Sequence, residues 1–248
     1  MMELAGVRRD IALACRVLAF HGLAADVLGH VSVRAGTGRM LIRCRGPRES
    51  GLLFTTPEDV HLVDLDGPYD ALPGGYAVPS ELPIHAETLR HRPDVTAVVH
   101  AHPPAVVAAD LAGLRLRPIV GAFNIPAMRL AAGGIPVYPR GVLIRRTDLA
   151  KEMLSAMGPA PVCVLRGHGV TTTGATIAQA VVRALNLEAL ARITLDAAQA
   201  GAAQAGGAVP PDMPAADIAE LPDLGSTLNE ESVWRHHLAR LAHAGLSL

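Results

Sequence analysis

The stretch Val95-Thr96-Ala97-Val98-Val99-His100-Ala101-His102 constrains the fold more than any other part of the chain. It is apolar and β-branched, which suits a buried strand, and Pro103-Pro104 stop that strand because proline has no N–H to give a sheet. Alternate side chains of a strand share a face, so His100 and His102 project to the same side at its end.

Around this strand the periodicity changes between helical and alternating, which by itself predicts a mixed α and β chain. Helices are expected over residues 7–21, from the Ser80 cap to about residue 89, then over 105–114, 147–157, 177–198 and 226–244. Short apolar runs at 30–33, 40–42, 60–65, 137–144 and 161–165 are expected strands, with Asp66-Gly67 as a hairpin turn. Residues 201–222 are rich in Ala, Gly and Pro and are expected to be a loose connection. We find no internal repeat, and residues 1–248 fit a single domain with a C-terminal helical extension from about residue 201.

Composition narrows the function classes. Hydrophobic residues make up 50% but aromatic residues only 3%, so the core must be built from Ala, Val, Leu and Ile, and stacking platforms for nucleic-acid bases are lacking. Lys and Arg total 22 against 23 Asp and Glu, a formal net charge of -1 that gives no footprint for nucleic acid or an anionic membrane surface. A small-molecule substrate is the expected partner. Cys15, Cys44 and Cys163 are far apart, odd in number and without CxxC spacing, which excludes a disulfide scaffold and favours a reducing compartment. No apolar run reaches the roughly 18 residues of a membrane span. A cytoplasmic location is expected.

Two imidazoles on one strand face can chelate a divalent metal, although taken alone a His-x-His pair is better explained by surface or satisfied core histidines. A third candidate, His168, sits in Leu165-Arg166-Gly167-His168-Gly169 just beyond an expected strand. Three histidines with an open coordination position suit catalysis better than a closed structural site. Glu81 precedes His100 at the start of the helix leading into the same strand, where alone it would be a carboxylate favoured by the helix dipole. His85 lies one turn beyond Glu81 on the same helix face.

Four blocks together resemble the class II aldolase/adducin family: Gly29-His30-Val31-Ser32-Val33-Arg34, Ser80-Glu81, Arg92-Pro93-Asp94 running into His100-Ala101-His102-Pro103, and Arg166-Gly167-His168-Gly169. They occur in the family's order over about residues 7–198. The resemblance implies an α/β fold, a three-layer α/β/α sandwich with a central, mostly antiparallel sheet. It implies one divalent metal per subunit, Zn or Mn, bound by His100, His102 and His168, with Glu81 as the acid/base. A homotetramer with sites at subunit boundaries is implied as well.

The departures from the family's sugar-phosphate aldolases concern phosphate. His30 stands where those enzymes place Asn, Pro79 replaces the first of two serines, and Arg43-Cys44-Arg45-Gly46-Pro47-Arg48 occupies the region of a Thr-Gly turn. A guanidinium fork suits a planar carboxylate. This pattern, together with the runs Gly121-Ala122-Phe123-Asn124-Ile125-Pro126-Ala127-Met128-Arg129-Leu130 and Pro136-Val137-Tyr138-Pro139-Arg140, resembles the decarboxylase branch, which acts on hydroxylated aromatic or heteroaromatic dicarboxylates such as dihydroxyphthalate. On this reading His30, Ser80 and a loop arginine, assigned to Arg48, bind the substrate; any one of Arg43, Arg45 and Arg48 is equally well explained as part of a solvated loop. Alternatives are an aldolase or epimerase of a sugar or polyol, and a non-catalytic adducin-like interaction domain. Trp234, His236 and His237 could line the pocket or an oligomer contact.

Overall fold

The structure is a computed structural model describing residues 4–67, 69, 72–203 and 210–248. Its centre is β4, residues Ala97–Ala101, which is fully buried, and the expected strand therefore forms where its β-branched run lies. Preceding it in the chain are α1 (Leu4–Phe20), β1 (His30–Arg34), β2 (Arg39–Arg43), β3 (Val60–Asp64) and α2 (Leu82–His91). After it come α3 (Pro104–Leu111), α4 (Ile125–Ala132), β5 (Val137–Tyr138), α5 (Thr147–Met157), β6 (Val162–Leu165), β7 (Gly169–Gly174), α6 (Ile177–Ala202), α7 (Ala215–Glu220) and α8 (Val233–His243).

Among the described residues the strands form one sheet in the order β3-β2-β1-β4-β7-β6-β5. All pairs are antiparallel except β5 with β6. Strand alternation divides the core into two. Ala97, Val99 and Ala101 join Val31, Val33, Val164 and Val170 under α1, α3, α4 and α6. Val98 joins Met40, Ile42, Cys163 and Leu165 under α2 and α5. The result is the expected three-layer α/β/α sandwich. Its aliphatic packing matches the composition, and Cys15, Cys44 and Cys163 are free and buried.

Several local expectations are corrected. Only Val137–Tyr138 of the 137–144 run pairs as strand, because Pro139 has no N–H for the ladder and the N–H of Ile144 donates to Glu81 instead. The chain turns at Asp66-Gly67, but among the described residues β3 pairs with β2 alone, so no hairpin is formed by them there. Ser80 makes no capping bond; Glu81 takes the cap position of α2. Within 201–222, residues 204–209 lie outside the described residues, and Ala215–Glu220 forms α7. The last helix begins with wider π-type turns over Thr227–Ser232 before α8. Besides α7, two further elements are not foreseen by the periodicity. One is α4, capped by the Asn124 side chain accepting from the N–H of Ala127, and the other is β7, a Thr-rich strand. No helix among the described residues is long and apolar enough to cross a membrane.

Candidate metal centre and active site

The register of the sheet builds the site. His30 on β1 lies opposite His100 on β4, and both point to the face covered by α2. Beyond the sheet's edge the backbone N–H of His102 donates to the carbonyl of Leu23 at 2.8 Å. His168 sits in the β6–β7 turn, which Gly167 makes possible with a φ of 59° in the left-handed region. The Gly167 N–H donates to a carboxylate oxygen of Asp110 at 2.7 Å, tying that turn to the end of α3. Gly169 is required by close approach: a Cβ there would strike the carbonyl oxygen of Ala101 and stand 2.7 Å from Cδ2 of His102.

Glu81, His100, His102 and His168 converge, each offering one ligand atom, and all four atoms lie within 4.8 Å of one another. Nε2 of His100 is 3.0 Å from Nε2 of His102 and 3.1 Å from Oε2 of Glu81. Nε2 of His168 is 3.5 Å from that same oxygen. Nδ1 of His100 lies 3.0 Å from the Val170 carbonyl, so it carries the hydrogen and donates, leaving the Nε2 lone pair facing the cluster. Burial pushes His102 down to about 3, aided by the neighbouring His100 and His168 rings. A neutral imidazole with its lone pair free is the form that binds metal.

Burial pushes the Glu81 carboxyl upward, but hydrogen bonds from the His100 and His168 rings, in the form that bears a proton rather than a metal on Nε2, and the electrostatic pull of those rings overcome it. The group is held well below the usual carboxylate range. Its Oε1 accepts the backbone N–H of Ile144 at 2.9 Å. The buried Nδ1 of His168 has no partner among the described residues. Converging lone pairs and one buried negative charge form a donor set that fits a divalent cation.

A second buried group adjoins the first. Nδ1 of His30 is 2.7 Å from Nε2 of His85, and Nδ1 of His85 is 2.6 Å from the Ser32 hydroxyl. Burial, then the neighbouring His100, pushes His85 down to about 3. Burial, then His85 and His100, holds His30 well below the usual histidine range.

These residues open on a cavity of about 880 Å³. Its walls include His30, Ser80, Glu81, His102 and His168, with Leu28, Val107, Leu111, Val142 and Leu143 as apolar surface. The arginine in the wall is Arg45, whose buried Nε has no partner among the described residues. Arg48 is exposed and does not line this cavity, and Arg43 is buried and paired with Glu49. Trp234 packs against the core on the α1 and α6 side rather than in the cavity, and the His237 ring stands edge-on to His21.

Sequence reasoning missed Ile144, Ser32 and Glu188. Oε2 of Glu188 on α6 accepts the N–H groups of Ala105 and Val106 at 3.0 and 3.3 Å, capping α3 directly after the histidine pair. A glutamate in a largely apolar helix was the available signal for it.

Residues 9–195 match the family described as the class II aldolase and adducin N-terminal domain. The chain belongs to that family. Family relatives include a 3,4-dihydroxyphthalate decarboxylase of Arthrobacter keyseri, 58% identical over 97% of this chain and 96% of the relative. Another, of Terrabacter sp. (strain DBF63), carries the same name and is 57% identical over 96% of this chain and 98% of its own. Among solved structures, an aldolase II superfamily protein from Pseudomonas syringae superposes with a TM-score of 0.80. It is 22% identical, covering 100% of this chain and 96% of that one, and so supports the fold alone.

Proposed function

We propose that the protein is a metal-dependent carbon–carbon lyase that decarboxylates a hydroxylated aromatic dicarboxylate of the 3,4-dihydroxyphthalate type. The observation that carries the reading is the near full-length identity of 58% to a decarboxylase of that substrate. The site supports it, since a carboxylate-binding arginine and an anion-compatible histidine stand beside the donor set in a cavity with aliphatic walls. His100, His102 and His168 would hold the cation, Zn or Mn, with Glu81 beside them as the acid/base. Once bound, the cation supplies Lewis-acid stabilisation of the negative charge that develops when the carbon–carbon bond breaks.

The chain's own groups do the rest. Arg45 forks onto the substrate carboxylate farther from the donor set, with His30 and Ser80 offering further hydrogen bonds. Leu28, Val107, Leu111 and Leu143 hold the ring and exclude water. Glu81, ionised at rest, takes the proton of a ring hydroxyl. As carbon dioxide leaves, the bonding pair stays on the ring carbon and Glu81 returns a proton there. Solvent reprotonates the ring oxygen, so the sequence consumes one proton and needs no oxidant.

Leu111 and Leu143, 69% and 50% exposed at the cavity mouth, support a homotetramer in which a neighbouring copy covers this rim. A cytoplasmic location agrees with the buried free cysteines.

The test is carbon dioxide release from 3,4-dihydroxyphthalate by protein reconstituted with Zn or Mn, with metal content measured alongside. One cation per chain and release of carbon dioxide are expected. Cleavage of a sugar phosphate to an aldehyde and a ketone, with dihydroxyphthalate untouched, would overturn the reading.

A further inference from the structure

We infer that Ser32 and His85 are positioning residues that fix the tautomer of His30, so that this ring presents an Nε2–H donor to the substrate. The inference rests on the proposed role of His30 in binding a substrate carboxylate.

Ser32, on β1, is fully buried, and among the described residues its hydroxyl meets only Nδ1 of His85, at 2.6 Å. If His85 donated to it, the hydroxyl hydrogen would be buried without an acceptor, and an orphaned buried donor costs more than the bond returns. Ser32 therefore donates, and Nδ1 of His85 accepts. A neutral imidazole carries its hydrogen on the other nitrogen, so Nε2–H of His85 donates across 2.7 Å to Nδ1 of His30. That makes Nδ1 of His30 an acceptor and leaves its hydrogen on Nε2. Nε2 has no partner among the described residues, and His30 contributes to the cavity wall.

The hydrogen-bond direction set by one serine thus passes through two rings to the substrate. A neutral ring in this tautomer donates to a carboxylate oxygen, whereas the other tautomer would turn a lone pair toward that anion. Asn could supply a donor at position 30 by flipping its amide, but His30 needs this chain behind it to choose its face. Histidine here therefore works only with partners that break the symmetry of its two nitrogens.

The experiment is a long-range proton–nitrogen correlation spectrum of substrate-free, zinc-loaded, deuterated protein with ring nitrogen-15 histidine. The His30 signals are identified by their loss in His30→Asn. Protonated Nε2 and unprotonated Nδ1 on His30 are expected. In Ser32→Ala the two nitrogens should move toward a mixture, with KM raised roughly threefold or more and kcat within about twofold, since a binding donor has been compromised. A hydrogen on Nδ1 of His30 in the unsubstituted protein overturns the inference without any variant having to fold. So does a Ser32→Ala protein with unchanged spectrum and KM. Because no substrate is present in the spectrum, the tautomer can be right while the dihydroxyphthalate reading fails, or the reverse.

Discussion

The backbone N–H of Ile144 donates to Oε1 of Glu81 at 2.9 Å, fixing the carboxylate with its other oxygen 3.1 Å from His100. Glu81→Gln keeps an acceptor for Ile144 but loses the charge and the proton. The variant should fold and retain most of its metal, with kcat lowered by about 10²–10⁴-fold. Carbon dioxide release and elemental analysis of the same sample check this.

His100→Ala removes a buried group that meets His102, Glu81 and the Val170 carbonyl together. Metal content and turnover should fall together, and excess metal should not restore the rate. Full activity in a chelated sample would contradict the proposed ligand set.

Arg45 and Arg48 separate cleanly. Arg45→Ala should raise KM for a dicarboxylate by at least about tenfold, the worth of a charge-assisted hydrogen bond of about 1.5–3 kcal/mol. Arg48→Ala, at an exposed position outside the cavity wall, should leave KM unchanged. Steady-state kinetics on the two variants decide between them.

Much of this was legible beforehand. The 147–157 run is helical over that whole span, and β4 lies where its β-branched residues required. Strand alternation put His100 and His102 on one face, whereas Glu81 and His168 joined them only through the family resemblance, since no local rule links positions so far apart. That Arg45 rather than Arg48 lines the cavity was not legible, because it depends on which way an irregular loop faces. Nor was the fate of 137–144, where a tertiary bond to Glu81 takes the N–H that a strand would have used. Ser32 and His85 meet only through packing of α2 on β1, which no spacing encodes.

Gly169→Ala should be costly for so small a change. The added carbon has nowhere to go between the Ala101 carbonyl and the His102 ring. A loss of about 1–3 kcal/mol of stability is expected from the forced backbone shift, together with weaker metal retention. Thermal melting and metal titration report the two effects separately.

His21 and His237 supply a pH dependence remote from the cavity. Burial first, then His21, His236 and Arg240, pushes His237 down to about 4, and burial also lowers His21. The unfolded chain, with ordinary histidines near 6.5, binds more protons over that interval. Stability is therefore full above about pH 6.5 and declines toward pH 4. Urea midpoints should fall between pH 7 and pH 5, and His237→Asn should flatten that slope.

The sheet places β4 and the β6–β7 turn side by side although His100 and His102 are far from His168 along the chain. A nascent polypeptide leaving the ribosome cannot complete its three-imidazole set until the β6–β7 turn has emerged. On the proposed ligand set, the full grip on a cation therefore waits until β7 has joined β4 in the sheet.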